Sequence, residues 1–428
     1  MNLAIYHNLP SGGGKRALFE MTRRLAAHHK VDVYTLSTAD HTFCDLRSFV
    51  GRHIVFPFRP LPLVRRPFGR LNQGIRAVDL LRLEAVQRRI AAQIDAGGYD
   101  AVFVHNCRFS QSPGLLKFLR TPTVYYCQEP PRQLYEPMAL RPYLQYSCAQ
   151  RVGNLFDPLP RLYRRTLSRL DRRNVGAASL ILVNSAYSRE SLYRVYGVSA
   201  RVCYLGVDVH NFQAMNLPRQ GFLLSVGALI ANKGFDFVIS SLALMDSATR
   251  PELVIVSNHA DPREQGFLAE LADKLAVQVK YLHQISDSEL VALYNRAAAT
   301  VYTPVMEPFG FVPLESMACA TPVIGVFEGG VRESVAPDVT GVLVQRDPAE
   351  FAAAIERVLS NPTWARELGE NGVRHVHQHW TWEATHSRVE SALSLVCDRH
   401  IVTGISGGRG TSRDDRDATR CHHHPQLE

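Results

Sequence analysis

Short apolar runs, each followed by a stretch with helical spacing, recur along most of this chain. The first is residues 2–6, NLAIY, which leads through a Gly-rich loop into the helical stretch ALFEMTRRLAAHH. The pattern restarts at residues 221–226, GFLLSV, where a second Gly-rich loop again precedes a helix. Near-continuous apolar strands separated by helices are what buried parallel sheets require. The sequence therefore predicts an α/β fold with two doubly wound, Rossmann-like domains that face each other across a cleft.

A stretch without periodicity, GVDVHNFQAMNLPRQG, separates the two halves and is interpreted as the linker between them. We assign residues 1–206 to the N-terminal domain and residues 207–378 to the C-terminal domain. A C-terminal helix, residues 379–398, is expected to return to the N-terminal domain. Residues 399–428 are rich in Gly, Arg, Asp and His without periodicity, which predicts a disordered tail.

The charge of the chain is unevenly distributed. Its 428 residues carry a formal net charge of +8, yet residues 1–190 hold 28 Lys and Arg against 13 Asp and Glu, which leaves 20 against 27 for the remainder. A basic half is typical of proteins that meet an anionic membrane surface, a nucleic acid or an acidic substrate. Solvated helix faces would give the same excess, so charge alone does not decide between these interpretations.

Three features bear on the compartment. No stretch approaches the roughly 18 apolar residues of a membrane span, which argues against a transmembrane helix. The N-terminal sequence MNLAIYHNLP has no basic region before its apolar run, so we do not expect a signal peptide. The eight cysteines are scattered without a CxxC, which predicts free thiols in a reducing cytoplasm.

The stretch from Thr303 to Val335 combines several signals of a binding site. An apolar run leads into a loop, then into the helical sequence VPLESMACA and a second apolar run, PVIGV. Glu307 lies in the loop and Glu315 on the helix, so the two carboxylates can contact different parts of one long ligand. Gly310 lets the backbone approach a ligand closely, and the helix start offers unpaired N–H groups to an anion. An anionic ligand with hydroxyl groups at both ends, such as a sugar nucleotide, fits this layout.

Further candidate residues follow other predicted strands. Gly12, Gly13 and Gly14 come after the first strand, where they could cradle a phosphate or a sugar, although a tight turn requires the same small residues. His105 and the pair Gln128-Glu129 lie at the ends of two later strands, where open parallel sheets gather their ligands. His105 is a candidate base or hydrogen-bond donor, and capping of local backbone is the alternative.

These motifs resemble those of the family-4 glycosyltransferases, retaining enzymes of the GT-B fold, over nearly all of residues 2–396. The most specific block is EPFGFVPLESMACATPVIGVFEGGVRE. It is supported by VNSAYSRESLYRVYG, by YLGVDVHNF and by the Lys233-Gly234 pair in its strand–loop–helix setting. The resemblance implies transfer of a hexose-type sugar from a nucleoside-diphosphate donor to a glycan or lipid-linked acceptor, in polysaccharide or glycoconjugate biosynthesis. The N-terminal domain would then face the acceptor, and the C-terminal domain would bind the nucleotide sugar.

The resemblance also implies roles for individual residues. Glu307 matches the glutamate that binds hydroxyls of the transferred sugar near the anomeric carbon, and Glu315 matches the one that binds the ribose. Lys233 matches the basic residue that stabilises the leaving diphosphate, so Glu307 and Lys233 are the predicted catalytic residues. Other donor contacts are expected from one loop's backbone N–H groups and from an N-terminal loop that closes over the donor: Phe309, Gly310, Phe311, Val312, Gly13 and Gly14.

Departure of a nucleoside diphosphate builds negative charge, which a Lys, backbone donors and a helix N-terminus can stabilise electrostatically. No DxD cluster appears in a suitable loop, so we expect neither a metal nor a cofactor. Retention in this family is explained by front-face attack, in which the leaving phosphate helps to deprotonate the acceptor. That mechanism would need no protein base.

Two positions depart from the family pattern. Ala228, in VGALIANKG, stands where the family usually has Arg, so half of the usual phosphate clamp is missing. Gln128 stands where the family often has His, and an amide cannot accept a proton as a base. As an alternative, these changes favour a catalytically weak or inactive protein that binds sugar nucleotides or glycans.

The partners implied are a nucleotide-sugar donor and a glycan or lipid-linked acceptor, with His105 and Gln128 as acceptor or sugar contacts. We expect a cytoplasmic protein whose basic half rests on the inner face of the membrane. Loops within residues 47–70 and 132–157 would determine acceptor specificity. Nucleic-acid binding is not expected, since the basic residues lack the aromatic interleaving of known modules.

Overall fold

The computed structural model describes residues 1–65, 71–136, 139–144, 157–215 and 217–407, with side chains through residue 399. It contains two sheets, one in each half of the chain, with helices packed around them. All the strand pairs within these two sheets are parallel. The α/β fold predicted from the alternation of apolar runs and helices is therefore confirmed.

The N-terminal sheet has seven strands in the order β3-β2-β1-β4-β5-β6-β7. These strands are β1 Asn2–Asn8, β2 Lys30–Leu36, β3 Arg52–Phe56, β4 Ala101–Cys107, β5 Thr123–Tyr126, β6 Leu180–Val183 and β7 Arg201–Val202. The helices of this half are α1 Gly13–His28, α2 Asn72–Asp95, α3 Arg132–Tyr135, α4 Pro158–Val175 and α5 Ala186–Tyr196. Two short 3-10 helices, Gly114–Lys117 and Pro142–Leu144, complete the described part of it.

The C-terminal sheet has six strands in the order β10-β9-β8-β11-β12-β13. They are β8 Phe222–Val226, β9 Glu252–Ser257, β10 Val279–His283, β11 Ala299–Tyr302, β12 Val323–Val326 and β13 Gly341–Val344. The helices that follow these strands are α6 Phe235–Leu242, α7 Pro262–Lys274, α8 Asp287–Arg296, α9 Phe311–Ala318, α10 Val331–Ser334, α11 Pro348–Leu359 and α12 Pro362–His379. A 3-10 helix, Ala231–Lys233, precedes α6.

Several helix boundaries follow local sequence signals. Asp157 precedes α4, and its side chain accepts a hydrogen bond from the backbone N–H of Leu159, as an N-cap residue does. Helix α5 ends at Gly197, which adopts the left-handed conformation with φ 71°. Ser286 and Glu289 form a capping box at the start of α8. These short-range contacts determine where the three helices begin or end.

Each sheet contains one point at which the strand order reverses. In the N-terminal sheet β1 pairs with both β2 and β4, and in the C-terminal sheet β8 pairs with both β9 and β11. Loops that leave the carboxyl ends of neighbouring strands diverge at such a point and open a crevice between them. The segments after β1, β8 and β11 start at these two reversal points, and they carry most of the predicted site residues.

The chain crosses back to the N-terminal half near residue 381. The backbone N–H of Val207 donates to the carbonyl of Trp380 at 2.9 Å, so the outgoing and returning segments lie side by side. The last helix, α13 Trp382–Gly407, then packs against α1, β4 and β5. Its residue Glu383 pairs with Arg24 of α1 at 2.8 Å. One hydrophobic core cluster continues from the N-terminal sheet to the C-terminal sheet through Trp380 and Trp382.

The end of this helix corrects one prediction. The sequence predicted a helix to residue 398 and a disordered tail from residue 399, but α13 continues to Gly407. The prediction was wrong for residues 399–407, because RHIVTGIS contains one glycine but no proline, and a glycine costs a helix only about 1 kcal/mol. The rest of the predicted tail, residues 408–428, lies outside the described residues.

A short described segment, residues 139–144, links the two halves away from the chain crossings. Arg141 is 7% exposed and donates to Glu264 of α7 at 2.9 Å and to Asp236 of α6 at 2.8 Å. Glu264 is completely buried and also accepts a hydrogen bond from the hydroxyl of Tyr143. A buried carboxylate of the C-terminal half is thus neutralised by an arginine of the N-terminal half.

Among the described residues, no helix has the length and apolar character to cross a membrane. In the same ranges no group of three or more His, Cys, Asp or Glu side chains is arranged to hold a metal ion. The cysteines described carry free thiols, as predicted: Cys44, Cys107, Cys127, Cys203, Cys319 and Cys397.

Candidate active site

A cavity of about 180 Å³ lies between the two halves, where segments that follow β1, β5 and β11 meet. Its walls include seven of the predicted site residues and four others: Gly13, Gly14, Gln128, Glu307, Phe309, Gly310 and Phe311, with Glu129, Asn184, Leu205 and Pro308. Phe311 also lines a second cavity of about 180 Å³, which contains Glu315. The side chain of Phe311 therefore lies between two adjacent cavities, one beside each predicted glutamate.

Lys233 and Glu307 form an ion pair at the first cavity. The Lys233 ammonium donates to Glu307 Oε2 at 2.9 Å. Gly234 follows with φ 71°, and a side chain at this position would meet the carbonyl oxygen of Thr303 at 2.3 Å. Glycine is therefore required for the loop after β8 to pack against the loop after β11, and this packing brings Lys233 to Glu307. Two residues that are 74 positions apart in the chain meet as a result.

The charge of Glu307 is stabilised by two cations. Burial by itself would raise the pKa of this carboxyl, but Lys233 and then Arg132 outweigh burial, and its pKa lies below the ordinary value of 4.5. The nearer guanidinium nitrogen of Arg132 is 3.9 Å from Glu307 Oε2. Glu307 is therefore an ionised hydrogen-bond acceptor at neutral pH, which suits the binding of sugar hydroxyl groups.

Helix α9 begins at the cavity with an uncapped N-terminus. Its N-cap residue Gly310 has φ 92°, and no side chain caps the helix. A side chain on Gly310 would lie 2.3 Å from the hydroxyl of Tyr302, so glycine is needed for packing as well as for conformation. Phe311 and Val312 form the first turn, whose N–H groups lack intrahelical partners. The predicted anion-binding helix start is present, although Val312 is not among the residues that line the two cavities.

Glu315 lies one turn further along α9 and is 4% exposed. It accepts hydrogen bonds from the hydroxyl of Tyr294 at 2.8 Å and from Arg16 at 3.0 Å. Burial raises the pKa of Glu315, and Arg16 and Tyr294 offset this effect only in part. Arg16 belongs to α1, so an ion pair between the two halves occupies the carboxylate that the sequence assigned to the ribose.

Gly13 and Gly14 reach the cavity as predicted, but from a helix rather than a loop. Helix α1 begins at Gly13 because Gly12, with φ 135°, turns the chain just before it. A Cβ atom on Gly13 would lie 3.2 Å from the ring of Phe311, and one on Gly14 would lie 2.5 Å from the Gln128 amide oxygen. The prediction of a loop at these two glycines was therefore wrong, and their small size instead permits close contact across the cavity.

His105 is not brought to either cavity. The sequence predicted that its strand ends there, but β4 continues to Cys107 and the ring is completely buried. It packs 4.5 Å from the ring of Phe103 and is stacked 5.5 Å from Tyr126. Burial, and next the charge of Lys15, lower the pKa of His105 to about 3. Among the described residues, neither ring nitrogen of His105 has a hydrogen-bond partner.

Two charged residues of the site were not identified from the sequence. Arg16 pairs with Glu315, and Arg132 approaches Glu307. Arg132 also donates to the carbonyl oxygens of Val305 and Met306 in the loop before Glu307. Their only signal was a position after a strand or in the first turn of a helix, which many surface residues share.

Each half is built on a parallel sheet, and a cavity lies between the halves beside the Lys233–Glu307 ion pair, with Glu315 at the adjacent cavity. This is the layout of a GT-B protein. Residues 11–211 match the family described as Glycosyltransferase Family 4, and residues 210–375 match the one described as Glycosyl transferases group 1. The two matches together extend over residues 11–375. The chain belongs to this group of glycosyltransferases.

The similarity extends to curated proteins and to solved structures. The chain is 27% identical over 253 residues to the alpha-1,3/1,6-mannosyltransferase ALG2 of Homo sapiens. The match covers 53% of this chain and 61% of that protein. Sucrose-phosphate synthase from Thermosynechococcus elongatus superposes with a TM-score of 0.71 at 21% identity, covering 92% of this chain and 99% of that one. Anabaena HepE, solved in complex with UDP, gives a TM-score of 0.67 at 18% identity, with 92% and 100% covered. These structural likenesses confirm the GT-B fold predicted from the sequence.

Proposed function

We propose that this protein is a retaining glycosyltransferase that moves a hexose-type sugar from a nucleoside-diphosphate donor to a glycan or lipid-linked acceptor. The main support for the proposal is the ion pair of 2.9 Å between Lys233 and Glu307. It lies beside a cavity that the start of α9 also lines. A cation and backbone N–H groups for phosphate thus lie next to a carboxylate for sugar hydroxyls. The human relative is a mannosyltransferase and the Anabaena structure contains UDP, which supports this donor class.

In this proposal the donor extends through both cavities. The sugar lies at Glu307, the diphosphate lies between Lys233 and the N-terminus of α9, and the ribose hydroxyls bind Glu315. Because Arg16 already contacts Glu315 at 3.0 Å, the ribose has to share or displace that contact. As the bond to the anomeric carbon breaks, negative charge builds on the leaving phosphate. Lys233 and the helix N–H groups then stabilise the transition state more than the ground state, which is the requirement for catalysis.

We propose that the protein itself supplies the charge that a metal supplies in other transferases. Lys233 provides one cation at the cavity, and Arg132 provides a second one within 3.9 Å of Glu307. Arg132 thereby offsets the missing arginine at Ala228. An enzyme that works in this way keeps its rate when EDTA replaces Mg²⁺ in the assay, whereas loss of activity on chelation contradicts this part of the proposal.

The acceptor side belongs to the N-terminal half, and its basic surface suits an anionic membrane. Helix α4 carries six exposed arginines: Arg161, Arg164, Arg165, Arg169, Arg172 and Arg173. Each Lys or Arg near an anionic surface contributes about 1 kcal/mol of attraction. We propose peripheral binding at the cytoplasmic face, tested by flotation with phosphatidylglycerol vesicles and with phosphatidylcholine vesicles. Equal binding to both would contradict it, as would unchanged binding after Arg164, Arg165 and Arg169 are replaced by Gln.

The activity is tested with UDP-glucose, UDP-N-acetylglucosamine and GDP-mannose, with released nucleoside diphosphate as the readout. We expect turnover of at least one donor and a fall in kcat of about 10²-fold to 10³-fold in Lys233→Met and in Glu307→Gln. Lys274→Met is the matched control, because Lys274 is an exposed lysine on α7. Equal turnover in all four proteins would refute the assignment.

The second candidate function is a sugar-nucleotide or glycan binder without turnover. It is favoured by Ala228 and by Gln128, which lines the first cavity with an amide in place of a titratable ring. Stabilisation by a donor or by UDP in a thermal-shift experiment, without turnover for any acceptor, would support this candidate. Stabilisation together with turnover supports the transferase.

A further inference from the structure

Glu129 is a carboxylate at the cavity whose hydrogen-bonding capacity is not used. It follows β5 directly after Cys127 and Gln128, and it shares the first cavity with Glu307. Its Oε2 atom is shielded from solvent and has no hydrogen-bond partner among the described residues. Shielded carboxylate oxygens normally accept several hydrogen bonds, so this side chain, which lines the cavity, keeps an unsatisfied acceptor.

The nearest cation does not satisfy this oxygen. Arg132 Nε lies 3.9 Å from Glu129 Oε2, and the same Nε donates to Glu136 at 2.6 Å. The remaining nitrogens of Arg132 point to Glu307 and to carbonyl oxygens across the cavity. Arg132 therefore attracts Glu129 electrostatically but donates no hydrogen bond to it.

The charged groups around Glu129 adjust its proton affinity to the neutral range. Burial, and next the negative charges of Glu307 and Glu136, raise the pKa of Glu129. The positive charges of Arg132 and Lys233 lower it, and the result is a pKa of about 7. A group with such a value is present in both forms near neutral pH, which is the condition for efficient proton transfer. The side chain is 31% exposed, so a proton taken up there can return to water.

The other side chains that the sequence or the structure offers as proton acceptors are less suited to this role than Glu129. Glu307 is held ionised by Lys233 at 2.9 Å, and its pKa lies below the ordinary value. Gln128 is an amide, and His105 is buried in the core between Phe103 and Tyr126. Among the described groups at the first cavity, Glu129 alone combines a carboxylate oxygen without a hydrogen-bond partner with a pKa near neutrality.

We propose that Glu129 accepts the proton of the attacking acceptor hydroxyl in the sugar-transfer reaction. The O–H bond of the acceptor breaks and its proton passes to a Glu129 carboxylate oxygen. The electron pair of that bond forms the new bond to the anomeric carbon. The bond from that carbon to phosphate breaks, and its electrons leave with the nucleoside diphosphate. This assignment differs from the expectation that the leaving phosphate takes the proton, and it rests on the proposed transferase function.

The test compares wild type, Glu129→Gln, Glu129→Asp and Glu136→Gln. Transfer from UDP-glucose or GDP-mannose to methyl α-glucoside and methyl α-mannoside is followed from pH 5 to pH 9, and UDP binding is measured by thermal shift. We expect Glu129→Gln to lose about 10²-fold to 10⁴-fold in kcat, with UDP binding retained. The wild-type rate falls as the pH drops through about 7, because the carboxylate becomes protonated, and this acidic limb disappears in Glu129→Gln.

The two controls separate a chemical role from a structural one. Glu136→Gln removes a negative charge that also contacts Arg132, but it lies outside the first cavity, so the acidic limb is retained. Glu129→Asp keeps a carboxylate and therefore keeps the limb at a reduced rate. An unchanged pH profile in an active Glu129→Gln variant overturns this inference alone, and so does a loss of UDP binding in that variant. Absence of turnover in the wild type with all three donors, UDP-glucose, UDP-N-acetylglucosamine and GDP-mannose, refutes the proposed function, and this inference with it.

Discussion

Arg16 and Glu315 belong to different halves of the molecule, yet their side chains form an ion pair of 3.0 Å. Arg16 extends from the first helix, and Glu315 is almost completely buried in α9, where Tyr294 donates the second hydrogen bond. The contact joins the halves at the cavity that we assign to the ribose. Any donor that binds Glu315 therefore acts on a contact that also holds the halves together.

We predict that Arg16→Gln destabilises the protein by about 1–3 kcal/mol, because it leaves a buried carboxylate without its cation. In the double variant Arg16→Gln, Glu315→Gln the neutral amide needs no cation, so part of the loss is recovered. Urea unfolding of both single variants and the double variant measures the coupling. Strictly additive effects would contradict a direct interaction between the two residues.

The Lys233–Glu307 pair gives a prediction about pH. The pKa of Glu307 is lower in the folded protein than its ordinary value of 4.5, so the folded state favours the ionised form. The resulting stability is fully present above the ordinary value and is lost as the pH falls through the lowered one. As the pH falls from 5 to 3, the wild type should thus lose more unfolding free energy than Glu307→Gln. A larger loss in the variant would contradict the stated direction.

The contact between Gly14 and Gln128 is close enough to test by a single methyl group. A Cβ atom at position 14 would lie 2.5 Å from the amide oxygen of Gln128, which is the far end of a flexible side chain and has to turn away. Gly14→Ala should therefore change stability little but raise the KM for the donor, because the amide is displaced within the cavity that Gln128 lines. Gln128→Ala in the same chain makes room for the methyl group and should restore the KM. Gly266→Ala is the control, because a Cβ there meets nothing within 4 Å.

Arg141 allows a test of the second link between the halves. Arg141→Met leaves Glu264 completely buried without its cation, and we expect a loss of about 3–5 kcal/mol. Glu264→Gln in the same chain should reduce this loss, since an amide is less costly to bury than a charge. Chemical denaturation compares the three variants. A loss below about 1 kcal/mol for Arg141→Met would mean that Glu264 finds another partner or water.

Arg132 provides a test of how the chain compensates for Ala228. Arg132→Gln should lower kcat by about 10-fold to 10²-fold, because it removes the second cation near Glu307. Adding Ala228→Arg returns a cation from the C-terminal half and should restore part of the rate. Arg357→Gln, at an exposed ion pair with Asp338, is the control. Failure of Ala228→Arg to raise the rate of Arg132→Gln would argue against a shared electrostatic role.

The parts of the structure that follow most directly from the sequence depend on neighbours in the chain. Asp157 and Pro158 mark the start of α4, and Gly197 marks the end of α5, because caps act over a few residues. The Glu307–Glu315 block was recognised for the same reason, since its loop, glycine and helix follow one another directly. The roles of the block were supplied by resemblance, and they stay predictions until kinetics test them.

Contacts between the halves could not be predicted, because they depend on how two sheets are placed relative to each other. Arg16 and Glu315 are 299 positions apart, and Arg141 and Glu264 are 123 positions apart. His105 shows a different difficulty. Whether a residue near a strand end faces a ligand or the core depends on where the strand stops, and β4 continues two residues further than its apolar pattern indicated.

Because α13 returns to the N-terminal half, the last described segment of the chain packs on the half that the first segment forms. A single protease cut within residues 208–221 would produce two polypeptides, but the downstream one would still carry the helix that packs on α1, β4 and β5. The pieces would stay associated and could be co-expressed as fragments that complement each other. Truncation at residue 381, by contrast, would strip the N-terminal half of part of its own surface.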